Sequence, residues 1–209
     1  MKAIVIGATG LAGKSITEQL LKLPEIGEVL VFSRRKTGIQ HSKLRERIVD
    51  FDNIDGWKDE IRGDILFSTL GTTLKAAGSK EAQFRVDHEY QLEVAKSAVH
   101  NGVAKYVLIS SVNASKSSPF FYLKMKGELE EKVMTLGFSS VCILRPGPLR
   151  GHREKPRLSE QISTRLLSIL PVSAGMKPVD GSQVARVAID CGLKRKGMHI
   201  LEAKEILES

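Results

Sequence analysis

The first sixteen residues of the chain, MKAIVIGATGLAGKSI, constrain its fold more than any other stretch. Residues 3–6 form a short apolar run rich in β-branched side chains, which is typical of a strand buried on both faces of a parallel sheet. Gly7, Gly10 and Gly13 follow at intervals of three residues, and apolar positions then predict a helix from Leu11 to Leu23. This order of strand, glycine turn and helix favours nucleotide binding at the turn over an ordinary loop.

Each glycine of this turn has its own physical reason. Gly7 permits a tight turn, Gly10 has no Cβ that would block a pyrophosphate, and Gly13 lets the helix lie close to the strand. The free N–H groups at the start of the helix would face the anion. The spacing G-x-x-G-x-x-G is one residue longer in its first gap than the plain dinucleotide fingerprint. Thr9 and Leu11 belong to the same turn, and we predict that they contact the cofactor.

Length and composition indicate one domain. With 209 residues, of which 42% are hydrophobic and 27% charged, the chain has the composition of a soluble globular protein. We predict a single nucleotide-binding domain over residues 1–209, with a small substrate-side insertion within it at residues 147–178. No apolar run is long enough for a membrane helix, and the first residues have the pattern of a strand and not of a signal peptide. We therefore expect a cytoplasmic protein.

Neither the cysteines nor the histidines indicate a metal site. Cys142 and Cys191 are far apart and form no CxxC pair, so we interpret them as buried apolar residues in a reducing compartment. The five histidines show no metal-ligand spacing.

The formal net charge of +8 and the computed pI near 9.5 raise the question of nucleic-acid binding. The basic residues are dispersed, however, and no stacking aromatic side chains are interleaved with their richest clusters. Solvated faces, together with a site for an anionic cofactor, explain the charge better.

Strand and helix patterns alternate along most of the chain, which predicts βαβ units and a parallel sheet covered on both faces. The predicted fold is therefore α/β, a Rossmann-type doubly wound parallel sheet with a small C-terminal substrate-side segment. After the first strand we predict strands at residues 29–32, 46–49, 64–70, 106–109, 140–144 and 198–201. Further helices are predicted at residues 81–101, 119–136, 158–170 and 182–191, the last with Ser182 as its N-cap.

The end of the second strand indicates which dinucleotide binds. A strand that binds NAD usually presents a carboxylate here for the ribose hydroxyl, whereas arginine suits a 2′-phosphate. This chain has Ser33, Arg34 and Arg35 at the position, about 20 residues beyond the glycines, where that contact is expected. The sequence therefore predicts NADP in preference to NAD.

Other cofactor contacts are predicted at the ends of later strands. Asp50 and Phe51 follow the third strand and suit an adenine pocket, although a surface turn fits them nearly as well. The fourth strand ends at residues 70–72, where Gly71 lets the backbone approach the cofactor between Leu70 and Thr72. Pro146 lies in a rigid segment after the sixth strand that we expect along the nicotinamide and the substrate. Residues 151–157 are polar and basic, and we expect a loop over the pocket.

A proton-transfer site is indicated by Tyr122 and Lys126, which lie four positions apart on one face of a predicted helix. An ordinary phenol has a pKa of about 10, and a neighbouring ammonium favours the phenolate. Ser111, at the carboxyl end of the fifth strand, could hold a substrate carbonyl oxygen in the same pocket. The motif Tyr-x-x-x-Lys is common in helices, and its weight comes from following a glycine-turn strand pattern.

Taken in order, these motifs resemble those of the short-chain dehydrogenase/reductase superfamily, in the extended or atypical type that uses G-x-x-G-x-x-G. More narrowly, the chain is similar to the Tat-interacting-protein-like atypical dehydrogenases over nearly its whole length. The motifs that carry the resemblance are GATGLAG at 7–13, STLGTT at 68–73, FRVD at 84–87, SS at 110–111, YLKMKGE at 122–128 and LRPG at 144–147.

The resemblance implies a Rossmann fold that binds NADP(H) and transfers a hydride between the nicotinamide and a small carbonyl or alcohol substrate. It implies that Tyr122 is the catalytic acid and base, that Lys126 holds the ribose and tunes Tyr122, and that Ser111 orients the carbonyl. Asp87 departs from the pattern, because many relatives carry an asparagine there that completes a proton relay. The chain is also short for an extended enzyme, so we expect an open pocket or one closed by a partner.

Two alternatives stay open. The chain could be a non-catalytic NADP-binding regulator in which the cofactor stabilises a surface for another protein, and a homodimer or a protein partner is compatible with either function. Nucleic-acid binding rests on net charge alone, and nothing in the sequence indicates a membrane partner.

Overall fold

The computed structural model of the protein describes residues 1–150 and 177–209. Its strands are β1 Lys2–Ile6, β2 Glu28–Ser33, β3 Leu44–Ile48, β4 Ile65–Ser68, β5 Lys105–Ile109, β6 Ser140–Arg145, β7 Leu149–Arg150, β8 Val179–Asp180 and β9 Gly197–Glu202. Its helices are α1 Leu11–Lys22, α2 Leu74–Ala77, α3 Lys80–Phe84, α4 Tyr90–His100, α5 Phe121–Met134, α6 Gly181–Lys194 and α7 Ala203–Glu208. Residues 85–89 form a π-helical turn between α3 and α4.

Seven of these strands form one parallel sheet in the order β3-β2-β1-β4-β5-β6-β9. This confirms the predicted Rossmann-type doubly wound fold. The chain runs outward from β1 to β3 and then crosses to β4 on the other side of β1. The loops after β1 and β4 therefore diverge and open a crevice at the carboxyl ends of the strands, where ligands bind in such sheets.

The sheet is buried on both faces because its side chains alternate between two cores. In β1, Ala3 and Val5 belong to the core beneath α1 and α6, whereas Ile4 and Ile6 belong to the core beneath α4 and α5. All four side chains are fully buried. The short apolar run that the sequence shows after Met1 is thus the two-sided interior of a central strand.

Several predicted elements differ from the observed ones at their ends. The helix predicted at 81–101 is interrupted by the π-helical turn, and the helix predicted at 119–136 begins at Phe121. Helix α6 is capped by Asp180, whose carboxylate accepts a hydrogen bond of 2.8 Å from the Ser182 N–H, so the predicted Ser182 cap is wrong. The strands β7 and β8 and the helix α7 were not predicted.

The predicted substrate-side insertion at 147–178 is described only at its two ends. Leu149 pairs with Val179, and Arg150 pairs with Asp180, in a two-stranded parallel sheet. The predicted loop at 151–157 and helix at 158–170 lie outside the described residues, and the insertion stays a prediction.

The structure corrects the interpretation of Cys142 and Cys191 as unpaired apolar residues in a reducing compartment. Both are buried as expected, but the structure joins them in a disulfide between β6 and α6, with 6.3 Å between their Cα atoms. The pairing was not visible in the sequence because 49 positions separate the two residues and only the packing of α6 on β6 brings them together.

The structure contains, within the described ranges, no helix that is both long and apolar enough to cross a membrane.

Helix α5 depends on a glycine for its close approach to the loop after β5. A Cβ at Gly127 would overlap the backbone of Ser115 and Lys116. We predict that Gly127→Ala lowers the free energy of unfolding by about 1–3 kcal/mol, even though alanine adds about 1 kcal/mol of helix propensity. Denaturant unfolding measures this change. Gly27→Ala is the control, because the nearest atom to its added Cβ is 3.9 Å away; equal losses in both variants would contradict the steric explanation.

Candidate active site

The glycine turn after β1 is as tight as the sequence indicates. Gly7 has a φ of +84°, which favours glycine, and a Cβ there would overlap Thr69. A Cβ at Gly13 would overlap the Gly7 carbonyl. Gly10 differs from both, because its added Cβ would have only the Gly7 oxygen near it, at 3.3 Å. The outer side of Gly10 is therefore the open side of the turn.

The start of helix α1 fits a phosphate group. Gly10 is the N-cap of the helix, and among the described residues no side chain caps the N–H groups of the first turn. Thr9 is exposed beside it, and Leu11 is half-buried. Uncapped N–H groups at a helix start, next to an open glycine, make an anion site for a pyrophosphate.

The end of β2 presents a basic edge to the same crevice. Ser33 is buried, and its hydroxyl donates a 2.6 Å hydrogen bond to the Arg35 carbonyl, which turns the chain outward. Arg34 and Arg35 are exposed. The structure thus leaves two guanidinium groups free to meet a ligand at this strand end.

The two residues predicted to contact the adenine, Asp50 and Phe51, lie in different environments in the structure. Asp50 is exposed and accepts a hydrogen bond from the Asp52 N–H in a 3₁₀ turn. The Phe51 ring is only 6% exposed and lies against Trp57 and Tyr90, with centroid distances of 5.3 and 5.6 Å. A contact between this ring and an adenine therefore does not follow from the structure.

The loop after β4 connects the glycine turn to the next part of the site. The Thr69 hydroxyl donates a 2.7 Å hydrogen bond to the Ile6 carbonyl, and Leu70 packs against the core beneath α4. Gly71 is exposed, and the Thr72 N–H donates a 2.8 Å hydrogen bond to Asp87 Oδ2. Through these hydrogen bonds the loop connects β1 to the π-helical turn.

Asp87 and Lys126 form a buried ion pair. The Lys126 ammonium lies 3.2 Å from Asp87 Oδ1, and both side chains are at most 3% exposed. Burial acts to lower the pKa of Lys126, but the charges of Asp87, Tyr122 and Glu130 and the contact with Asp87 raise it above its ordinary value. The contact with Asp87 therefore favours the ammonium form of Lys126 in its buried position.

Tyr122 lies one helical turn before Lys126 and is 37% exposed. The Lys126 ammonium is 6.0 Å from the centroid of its ring. The structure thus brings together the predicted tyrosine and lysine, with the phenol at the surface and the ammonium beneath it.

The two serines after β5 differ in a way that the sequence does not show. The Ser111 hydroxyl donates a weak 3.3 Å hydrogen bond to the Val112 carbonyl. Ser110 is 7% exposed, and its hydroxyl has no hydrogen-bond partner among the described residues. The alternation of β5 places Ser110 with Leu108, on the sheet face that α5 covers. Ser110 is thus a second candidate hydroxyl for this site.

The segment after β6 supports the site from behind. The Pro146 carbonyl accepts a 2.9 Å hydrogen bond from the Val112 N–H, and Pro146 itself is buried. Arg145 binds Glu130 of α5 at 2.6 Å and Glu202 at 2.7 Å. Hydrogen bonds that the Arg145 guanidinium donates to Glu130, with the charges of both carboxylates, raise the pKa of Arg145. These contacts hold α5 against the sheet.

The π-helical turn, which the sequence pattern did not predict, presents two polar side chains to the interior. Asp87 is one, and His88 is the other, 2% exposed and stacked on Phe84. Such turns occur frequently at functional sites. The available signal was an aspartate on the apolar side of a predicted helix, since a buried carboxylate needs a cationic or hydrogen-bonding partner.

Comparison with known proteins gives the family. A family model described as HIM1 matches residues 57–174, which is more than half of the chain. The protein named "Protein FMP52, mitochondrial" of Meyerozyma guilliermondii is 37% identical over 202 residues, 93% of this chain and 86% of the relative. The protein of the same name in Saccharomyces cerevisiae is 32% identical over 222 residues, 100% of this chain and 96% of the relative. The chain belongs to the FMP52 family.

The FMP52 relatives correct the expected compartment. They are named as mitochondrial proteins, which contradicts the expectation of a cytoplasmic one. The expectation rested on the lack of a membrane-helix pattern and of a secretory signal pattern, and neither observation distinguishes the cytoplasm from mitochondria. The names state no activity.

Solved structures with the same fold are dehydrogenases and epimerases. UDP-glucose 4-epimerase of Thermus thermophilus, in complex with NAD, aligns with a TM-score of 0.74 and 18% identity over 100% of this chain and 81% of that one. An oxidoreductase of the short-chain dehydrogenase/reductase family from Burkholderia thailandensis aligns with a TM-score of 0.74 and 16% identity over 99% and 92%. At this identity the likeness concerns the fold.

The buried His88 makes the free energy of unfolding depend on pH below neutrality. Its Nε2 lies 3.2 Å from the Lys132 ammonium, which can only donate, so the ring is neutral with its proton on Nδ1. Burial, followed by the charges of Lys132, Lys126 and Lys96, lowers its pKa from 6.5 to about 4. Between these values the unfolded chain binds the extra proton, so the folded state loses stability as the pH falls.

We predict that the free energy of unfolding decreases through His88 by at most about 1.4 kcal/mol per pH unit between about pH 6.5 and 4. In His88→Gln this part of the pH dependence disappears, because glutamine does not titrate. Urea unfolding at several pH values measures the slope, and His100→Gln, at an exposed histidine, is the control. An unchanged slope in His88→Gln would show that His88 is not the group responsible.

Proposed function

We propose that this FMP52-family protein is an NADP-dependent oxidoreductase of the short-chain dehydrogenase type, which transfers a hydride between the nicotinamide and a small carbonyl or alcohol substrate. The observation that carries the proposal is a continuous series of contacts from the glycine turn to Tyr122. Gly7 packs on Thr69, the Thr72 N–H binds Asp87, Asp87 binds Lys126, and Lys126 lies under Tyr122. This series supports the proposal that the phosphate site and the proton-transfer pair serve one ligand.

Further support comes from the fold and from the motifs. The dehydrogenases and epimerases that share the fold include proteins described in complex with NAD. The resemblance to the Tat-interacting-protein-like dehydrogenases also supports the proposal, because it implies the same roles for Tyr122 and Lys126.

The residues of the chain would divide the work as follows. Tyr122 gives a proton to the substrate oxygen during reduction and takes it back during oxidation. The Lys126 ammonium stabilises the phenolate between these steps. A serine hydroxyl at the end of β5, from Ser110 or Ser111, holds the substrate oxygen. A bound nicotinamide would supply or accept the hydride.

Arg34 and Arg35 favour NADP over NAD in this proposal, because both guanidinium groups are exposed at the strand end where a 2′-phosphate would lie. We predict that replacing both by alanine weakens NADPH binding about tenfold to a hundredfold and changes NADH binding little. Fluorescence titration with each dinucleotide measures both affinities. Arg62→Ala removes an exposed arginine elsewhere and is the control. An equal loss for both dinucleotides would contradict the assignment.

The catalytic role is tested by Tyr122→Phe in an NADPH oxidation assay over a broad panel of aldehydes and ketones. We predict that kcat falls about 10²-fold to 10⁴-fold while the NADPH affinity stays unchanged. Tyr90→Phe is the matched control, because its hydroxyl binds Asp52 outside the site. Gly10→Glu, which places a carboxylate against the pyrophosphate, should abolish NADPH binding. Ser110→Ala and Ser111→Ala in the same assay identify the serine that holds the substrate oxygen.

The second candidate function is a non-catalytic NADP-binding regulator. It is favoured by one observation, that Lys126 is already engaged by Asp87. A regulator would need Gly10 but not the Tyr122 hydroxyl in a cellular assay. NADPH binding without turnover of any carbonyl in the panel would support the regulator and count against the oxidoreductase.

A further inference from the structure

Asp87 is a buried charge that the proposed chemistry does not yet use. Its side chain is 0% exposed, and it lies in the π-helical turn directly against the Lys126 ammonium. Burying two charges costs free energy that their attraction offsets only when the geometry is good. The pair therefore calls for a reason beyond stability.

The contacts of Asp87 fix its orientation. Oδ2 accepts the hydrogen bond from the Thr72 N–H, which leaves Oδ1 to face Lys126 at 3.2 Å. Oδ1 has no conventional hydrogen-bond partner among the described residues. A Cβ at Gly71 would lie 3.5 Å from the same oxygen, so the loop after β4 covers the pair on that side. The carboxylate is held on one element and directed at an ammonium on another.

The other titratable groups near Lys126 do not balance its charge. Glu130, further along α5, acts on Lys126 less than Asp87 does and is already bound by Arg145. His88, in the π-helical turn, is neutral and adds no negative charge. Tyr122 is the group on which Lys126 would act. Asp87 is thus the carboxylate available to Lys126 within the described part of the chain.

We propose that Asp87 is a positioning residue whose carboxylate keeps Lys126 as a buried ammonium beneath Tyr122, so that the phenolate of Tyr122 is stabilised before substrate binds. The inference rests on the proposed function for the role of Tyr122. In this role the Asp87 carboxylate keeps Lys126 protonated.

The direction in which Asp87→Asn shifts the ionisation of the Tyr122 phenol distinguishes this role from a direct action of Asp87 on Tyr122. Asp87→Asn keeps the shape of the side chain and an oxygen for the Thr72 N–H, but removes the charge. If Asp87 acted on Tyr122 directly, the loss of a nearby negative charge would make the phenol ionise at lower pH. If Asp87 acts through Lys126, the buried amine loses its proton in the variant, and the phenol ionises at higher pH.

Tyrosine ionisation can be followed by ultraviolet difference absorbance in the free protein, without substrate or cofactor. The chain contains three tyrosines. Burial and the hydrogen bond to Asp52 raise the pKa of Tyr90 to about 12, and burial raises the pKa of Tyr106 still further. The step that is lost in Tyr122→Phe is the Tyr122 step, and this is the step to follow in the other variants.

We predict that Asp87→Asn moves the Tyr122 step upward by about one pH unit or more. Lys126→Met should produce a similar shift, and Asp87→Asn should add no upward shift in the Lys126→Met background. Glu130→Gln, which also removes a buried, ion-paired carboxylate, is the matched control and should shift the step less. An unchanged or lowered step in Asp87→Asn, or an equal shift in Glu130→Gln, would overturn the proposal.

A second measurement covers the case in which Asp87→Asn does not fold. In wild-type protein labelled with ¹⁵N-lysine, we expect an ammonium signal from Lys126 that persists at pH 7 and is absent from Lys126→Met. A neutral amine at pH 7 would overturn the proposal.

The two proposals can fail separately. The NADPH turnover assay tests the proposed oxidoreductase activity, whereas the tyrosine titration tests only the role of Asp87.

Discussion

The parallel pairing of β1 with β2 on one side and β4 on the other is the constraint on which the rest of the molecule depends. Because β1 is central, its side chains must be apolar on both faces, and every following loop must leave from the same edge. Helix α1 can return across the strand only where a side chain is missing, and Gly13 against the Gly7 carbonyl provides that space. The glycines of the turn are thus explained in part by close helix packing, and the phosphate site that we propose there would use the same close approach.

The features that follow from local patterns were predictable from the sequence. The strand and turn at the N-terminus, the order of α/β units and the spacing of Tyr122 and Lys126 depend on residues close in sequence, and the structure places them as expected. The Asp87–Lys126 pair and the disulfide depend on packing between distant elements. The Asp180 cap is local, and the prediction missed it by placing the helix start two residues too late. The π-helical turn was missed because one extra residue per turn barely alters the apolar periodicity of the flanking helices.

Helix α5 shows how buried charge can organise a site. It carries two interior ionic groups with opposite partners, Lys126 toward the π-helical turn and Glu130 toward Arg145. Each partner stands on a different element, so rotation or sliding of α5 would break both pairs at once. An apolar helix face would tolerate small shifts, whereas these pairs specify one position for the exposed Tyr122.

The short pair β7 and β8 brings together two parts of the chain that are distant in sequence. Its two strands lie side by side and bring the residues on either side of positions 151–176 together next to the sheet. Because the entropy of closing a loop grows only with the logarithm of its length, pairing two strands that are distant in sequence costs little more than pairing nearer ones. The pairing therefore fixes, relative to each other, the points at which the chain leaves β7 and enters β8.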